Sequence, residues 1–131
     1  MKRLSVMFAG LFLAGCFAVA QSGDVKNVSV SSAKALVDAH GAFILDVRTP
    51  EEHASAHIHG TDANIPVQVL ADSIGRLDSL KTKPVFVYCR SGHRSAKASG
   101  ILHDKGFTDV TNMEGGINAW VSAGFPVDTG K

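Results

Sequence analysis

Apolar and polar positions divide this chain into short alternating segments. Asn27-Val28-Ser29-Val30 alternates with a period of two, as a short strand does. Ser31 or Ser32 then caps a helix whose apolar positions are Ala35, Leu36 and Ala39, ending at His40-Gly41. Ala42 to Val47 is an apolar run that closes around Asp46 and reads as a strand buried on both faces. Arg48-Thr49-Pro50 turns the chain into a short helix over 51–56. Ala63-Asn64-Ile65 is a brief third strand before Pro66. The spacing of Val69, Ile74, Leu77 and Leu80 predicts one helix over 69–80 with those four side chains inward. Pro84 then opens the strand Val85-Phe86-Val87-Tyr88, and a helix follows over 95–103, with Ala96, Ile101 and Leu102 for packing and Gly106 as its stop. Asp109 to Met113 is a fifth strand, Gly115-Gly116 frees the backbone, and a helix over 117–123 buries Trp120.

Strands that alternate with helices imply an α/β fold with a central, mostly parallel five-stranded sheet and helices on both faces. Ligands of such sheets sit beyond the carboxyl ends of the strands. Cys89 follows one strand, and Asp46 and Arg48 end another, so the three share a rim. Between strand and helix lies Cys89-Arg90-Ser91-Gly92-His93-Arg94-Ser95, a tight loop that opens on a cysteine and carries two arginines. Loop N–H groups and the following helix N-terminus converge there, which stabilises a thiolate and makes Cys89 a nucleophile near neutral pH.

The first twenty residues do not fit this pattern. Lys2 and Arg3 precede an apolar run from Leu4 to Phe17, and Ala18-Val19-Ala20 supplies a cleavage site. A signal peptide over 1–20, a loose stretch over 21–27 and one domain over 28–127 follow, with export to a bacterial periplasm expected. Leu13-Ala14-Gly15-Cys16 also resembles a lipoprotein signal over 1–15, in which Cys16 becomes a lipid anchor; a membrane is a partner only in that case. The formal charge is +1, from 13 basic and 12 acidic residues, and without Lys2 and Arg3 the balance is 11 against 12. So neutral a domain excludes nucleic acid as its partner, and a monomer is the default. Of the two cysteines only Cys89 lies beyond the signal, so no internal disulfide forms.

Taken together, the segments resemble a single-domain rhodanese of the thiosulfate sulfurtransferase type, over roughly 28–125. Leu45-Asp46-Val47-Arg48-Thr49-Pro50-Glu51-Glu52 is similar to that family's first signature, continued by His57-Ile58-His59-Gly60 and Asn64-Ile65-Pro66. Val87 to Ser95 is similar to its active-site loop, and Gly106-Phe107 with Met113 to Trp120 to its closing segment. Departures are one extra residue between Gly60 and Asn64, His53 in place of an aromatic, and Ala56 in place of a glycine. The resemblance implies a Cys89 thiolate that takes the outer sulfur of thiosulfate, releases sulfite and holds a persulfide for cyanide or a thiol, with no cofactor and no metal. Arg90 is then the candidate ligand of the anionic donor. Arg94 closes the loop, binding substrate or pairing with Asp46; Ser91 and Ser95 are candidate donors to the sulfur, Ser95 being also a candidate helix cap. His93 is a candidate tuner of the thiolate, and Asp46 and Arg48 form a supporting ion pair.

Three other readings compete. Phosphatases and arsenate reductases of the same fold place five residues between cysteine and arginine, whereas four separate Cys89 from Arg94. A persulfide carrier or oxidant sensor would keep the cysteine without turnover. His53, His57 and His59 could hold zinc or copper, but no Cys and carboxylate framework completes such a site, and a structural role is expected of them.

Overall fold

The computed structural model describes residues 24–131. Residues 1–20, expected to form a signal peptide, with Cys16 among them, and residues 21–23 lie outside the described residues. Seven strands and five helices follow in order: β1 (Lys26–Val28), α1 (Val30–Asp38), β2 (Phe43–Asp46), α2 (Pro50–Ser55), β3 (His57–Ile58), β4 (Ala63–Asn64), α3 (Val67–Ser73), β5 (Val85–Tyr88), α4 (His93–Asp104), β6 (Val110–Met113), α5 (Gly116–Ser122) and β7 (Val127–Asp128). The main sheet has five strands in the order β1-β6-β5-β2-β4, every pair parallel. Strands β3 and β7 make a separate antiparallel ribbon.

Alternation along the strands divides the core. Leu45, Val85, Val87 and Cys89 face α3 and α4, packing with Leu70, Ala98 and Leu102. Ile44, Phe86, Tyr88 and Met113 face α1 and α5, packing with Ala33, Val37, Ile117 and Trp120. The chain leaves β2 outward for β4 and returns on its other side as β5, so strand order reverses between β2 and β5. Asp46 stands opposite Tyr88 in that pair, and Cys89 emerges one residue later, at the crevice where open α/β sheets hold ligands.

Several boundaries differ from the sequence reading. The strand expected over 27–30 runs over Lys26–Val28 instead, so the loose stretch expected over 21–27 ends before Lys26, and Ser29 and Val30 belong to the start of α1. Helix α1 is capped by Ser29, whose hydroxyl accepts from the Ser32 N–H, so its inward stripe is Val30, Ala33 and Val37 rather than Ala35 and Ala39. The helix expected over 69–80 is two pieces: α3 begins directly after Pro66, and Ile74–Leu80 is wound as a 3-10 helix. Three residues per turn bring Ile74, Leu77 and Leu80 into line, and Val69 is left 46% exposed. Helix α4 starts two residues earlier than expected and turns Ser95, Ala98, Ser99 and Leu102 inward, leaving Ala96 at the surface. Among the described residues no helix is long and apolar enough to cross a membrane.

Candidate active site

Strand β5 is buried along its whole length, and alternation sends the next side chain, Cys89, toward α4. The backbone then folds back sharply, with Gly92 at φ +105°, a conformation that favours glycine. The Gly92 N–H donates to Cys89 Sγ at 3.1 Å, and the Ser95 hydroxyl lies 3.3 Å from the same sulfur. That hydroxyl is also 3.2 Å from the Gly92 carbonyl. It has one proton for two acceptors, and a thiolate takes it more strongly than a neutral carbonyl does. Burial pushes the Cys89 thiol up, since the side chain is 1% exposed. Hydrogen bonds from the Ser95 hydroxyl and from the Ser95, Gly92 and Ser91 N–H groups outweigh it and hold the thiol below its ordinary value.

The loop's N–H groups face inward because its carbonyls are tied outward. The Ile117 N–H donates to the Cys89 carbonyl at 2.9 Å, and the Asn118 N–H to the Arg90 carbonyl at 3.1 Å. These are free donors at the N-terminus of α5, used here to brace a second segment. The close approach requires Gly116: a Cβ there would stand 2.3 Å from the Arg90 carbonyl carbon and oxygen and 2.6 Å from the Cys89 carbonyl oxygen. The Gly115-Gly116 pair, which sequence reasoning took only as a flexible lead into a helix, is the seat of the cysteine loop.

Two ion pairs support the rim. Asp46, 0% exposed, accepts from Arg48 Nε at 2.9 Å and Nη2 at 2.7 Å, from His53 Nδ1 at 3.0 Å and from the Tyr88 hydroxyl at 3.2 Å. Arg48 also donates to the Ala56 carbonyl at 2.6 Å, tying β2 to the end of α2. The expected Asp46–Arg48 pair is therefore present, and it is fully satisfied. Arg94, by contrast, does not pair with Asp46. Its Nη1 and Nη2 donate to the two carboxylate oxygens of Glu52 at 2.7 Å and 2.9 Å. Asp46 already has its donors, and Glu52 stands nearer the solvent edge where α2 begins. The Arg94 hydrogen bonds pull the Glu52 carboxyl down to about 2, against the opposing effect of burial.

Glu52 also closes the Thr49 capping box that starts α2. It was missed as a site residue, although Thr49-Pro50-Glu51-Glu52 carries the Thr-x-x-Glu spacing of that motif. Ser95 lies inside α4 rather than at its cap, which is Gly92. Arg90, Ser91 and His93 are exposed on the loop. Arg90 belongs to none of the ion pairs among the described residues.

The three histidines do not converge. His53 bonds Asp46, His57 stacks on it with ring centroids 3.9 Å apart, and His59 pairs with Asp128 of β7 at 2.8 Å. No group of three or more His, Cys, Asp or Glu among the described residues is arranged to hold a metal ion. His53, where the resemblance leads one to expect an aromatic, thus stacks as an aromatic would and adds a bond to Asp46. In the lengthened stretch after Gly60, the Thr61 hydroxyl lies 2.8 Å from the Tyr88 hydroxyl and Asp62 accepts the Ile44 N–H at 2.8 Å.

An open pocket of about 510 Å³ lies beside the loop. It is lined by Arg48 after β2, by Glu52, Ser55 and Ala56 of α2 and its end, by Arg90 of the loop, and by Ile117, Asn118, Val121 and Ser122 of α5. Cys89 does not line it; Arg90, the next residue of the loop, does.

A cysteine cradled by a strand–loop–helix turn at the switch point of a parallel sheet defines a class of α/β proteins built for a thiolate. The profile of the rhodanese-like domain matches residues 29–123, and the chain belongs to that family. It is 35% identical over 100 residues to a sulfurtransferase of Allochromatium vinosum, covering 76% of this chain and 90% of that one. It is 34% identical over 97 residues to the thiosulfate sulfurtransferase GlpE of Stutzerimonas stutzeri, covering 74% and 85%. The crystal structure of a rhodanese-related protein from Thermoplasma volcanium superposes with a TM-score of 0.69 at 30% identity, covering 79% of this chain and 97% of that one.

Proposed function

We propose that this protein is a sulfurtransferase that carries sulfane sulfur on Cys89. The Cys89 thiolate attacks the outer sulfur of thiosulfate; a new S–S bond forms, the old one breaks, and its electron pair leaves with sulfite. The persulfide is then attacked at its outer sulfur by cyanide or a thiolate, giving thiocyanate or a new persulfide and returning the Cys89 thiolate. The observation that carries this reading is the sulfur's position, 3.1 Å from the Gly92 N–H and 3.3 Å from the Ser95 hydroxyl. Those donors are in place before reaction and stabilise thiolate and persulfide alike. Arg90 meets the sulfonate oxygens of the donor, for which a guanidinium is suited. The four-residue spacing from Cys89 to Arg94, and the engagement of Arg94 by Glu52, favour sulfur transfer over phosphate or arsenate chemistry. We propose further that the protein acts as a monomer in the periplasm, free after cleavage at Ala20 or anchored through Cys16.

The test is thiocyanate formation from thiosulfate and cyanide, beside Cys89→Ser, with intact mass measured after thiosulfate alone. Turnover that vanishes in the variant, with one added sulfur on the wild type only, is expected. Added sulfur without turnover identifies a carrier. Neither signal from folded, reduced protein overturns the proposal.

A further inference from the structure

We infer that a second cleft, at the start of β2, binds a small aliphatic ammonium compound. It plays no part in the sulfur-transfer reading above. Strand β2 runs parallel to β5, so a cleft at the first residues of one lies away from Cys89, which follows the last residue of the other. The cleft has a volume of about 370 Å³, within the range of small-molecule sites. Its floor is apolar: Val37 and Ile44 are buried and Ala42 is half-buried. Its rim is polar, with Asp38 and His40 at the end of α1 and His59 and Asp62 in the stretch after β3.

Two features of the rim cost stability in the empty cleft. Asp38 is the last residue of α1, at the negative end of the helix dipole, and that last turn holds no basic residue. Lys34, one turn earlier, pairs with Asp38 but does not line the cleft. His40 is the one non-glycine residue with positive φ, +51°, among the described residues. A glycine takes that backbone without strain, and Gly41 stands one position too late for it. Asp62 belongs to the lengthened stretch after Gly60; one of its oxygens accepts the Ile44 N–H at 2.8 Å, and it enters no ion pair among the described residues. The lining therefore brings two carboxylates and a helix C-terminus together with no lysine or arginine. His59, even if protonated, is offset by Asp128 at 2.8 Å. A cation is the complement. No three of these groups are arranged to hold a metal ion, so hydrogen bonds must hold it, and an ammonium has three N–H donors for them. The lining has no Phe, Tyr or Trp, the residues that recognise quaternary ammonium, so the primary form fits better. Its alkyl chain lies on Val37, Ala42 and Ile44.

The test is titration of the isotopically labelled protein with n-pentylammonium, 1-pentanol, pentanoate and pentyltrimethylammonium, followed by amide chemical shifts. Saturable shifts at Val37, Ile44, Gly60 and Asp62 are expected with n-pentylammonium. Its affinity should exceed that of each of the others at least about tenfold, the scale of one hydrogen bond to a charged group. Asp62→Asn keeps an oxygen for the Ile44 N–H while removing the charge, and should weaken n-pentylammonium binding about tenfold. Asp38→Asn, which disturbs no backbone bond, should do the same. Asp72→Asn, at an exposed carboxylate of α3 outside the cleft, should leave binding unchanged. His40→Gly should weaken binding severalfold while raising the thermal midpoint, because it relieves the strained backbone. Equal affinities for the four probes, shifts centred on the cysteine loop, or wild-type binding by both Asp62→Asn and Asp38→Asn would each overturn the inference. None of these outcomes bears on sulfur transfer.

Discussion

Gly116→Ala is expected to be among the most damaging one-carbon changes in this protein. The substitution adds a methyl group 2.3 Å from the Arg90 carbonyl and 2.6 Å from the Cys89 carbonyl oxygen, where both neighbours are backbone and cannot swing aside. It also places a side chain at φ +60°, which costs an L-residue about 1–2 kcal/mol. To relieve the clash α5 must back away, giving up the Ile117 bond to the Cys89 carbonyl at 2.9 Å and the Asn118 bond to the Arg90 carbonyl at 3.1 Å. Two such bonds contribute about 1 kcal/mol each. The total is about 3–4 kcal/mol, a large share of the 5–15 kcal/mol typical of a domain. Gly124→Ala is the control: it too has positive φ, +78°, but nothing lies within 4 Å of its added Cβ. It should cost only that backbone penalty, about 1–2 kcal/mol. Urea unfolding followed by Trp120 fluorescence measures both, and a thermal midpoint about 15 °C lower is expected for Gly116→Ala. With the carbonyls released, the N–H groups lose their aim, and sulfur transfer should fall on the order of a hundredfold. Equal losses of stability in the two variants would refute the claim that α5 seats the loop.

Ser95→Ala removes the hydroxyl 3.3 Å from the sulfur, so the Cys89 pKa should rise, and iodoacetamide alkylation at neutral pH should slow about tenfold, the scale of one hydrogen bond to a charged group. Glu52→Gln breaks the two-pronged pair with Arg94; because both side chains are about a third exposed, the expected cost at pH 7 is only about 1 kcal/mol. The Glu52 carboxyl sits at about 2 against an ordinary 4.5, so this stabilisation is present above pH 4.5 and fades as pH falls through 2. Unfolding curves of wild type and Glu52→Gln should therefore converge in that window. Asp46→Ala leaves the Arg48 guanidinium, 4% exposed, without its counter-charge, and denaturant unfolding should show a loss of about 3–5 kcal/mol.

What could be read from the sequence depended on whether a residue's role is local. The strand Val85–Tyr88, the loop that opens on Cys89 and the Asp46–Arg48 pair two residues apart are local features, and each stands where the pattern put it. Helix faces were less legible. Val69 looked inward because a 3.6-residue period was carried across a segment that winds at three residues per turn after Ile74. The β3–β7 ribbon was missed because strands of two residues show no period at all. The partner of Arg94 could not be read from spacing either, since Asp46 and Glu52 are both acidic and both on the rim. The difference between them is tertiary: Asp46 is enclosed and already holds Arg48, His53 and Tyr88, so a second guanidinium has no free oxygen to take. Gly116 shows the same limit from the other side. A Gly-Gly pair signals unusual backbone, but only the approach of α5 to the cysteine loop says which glycine is indispensable and why. The chemistry of Cys89 thus depends on a contact between segments 27 positions apart in sequence, from Cys89 to Gly116, and the strength of that contact is what the first prediction measures.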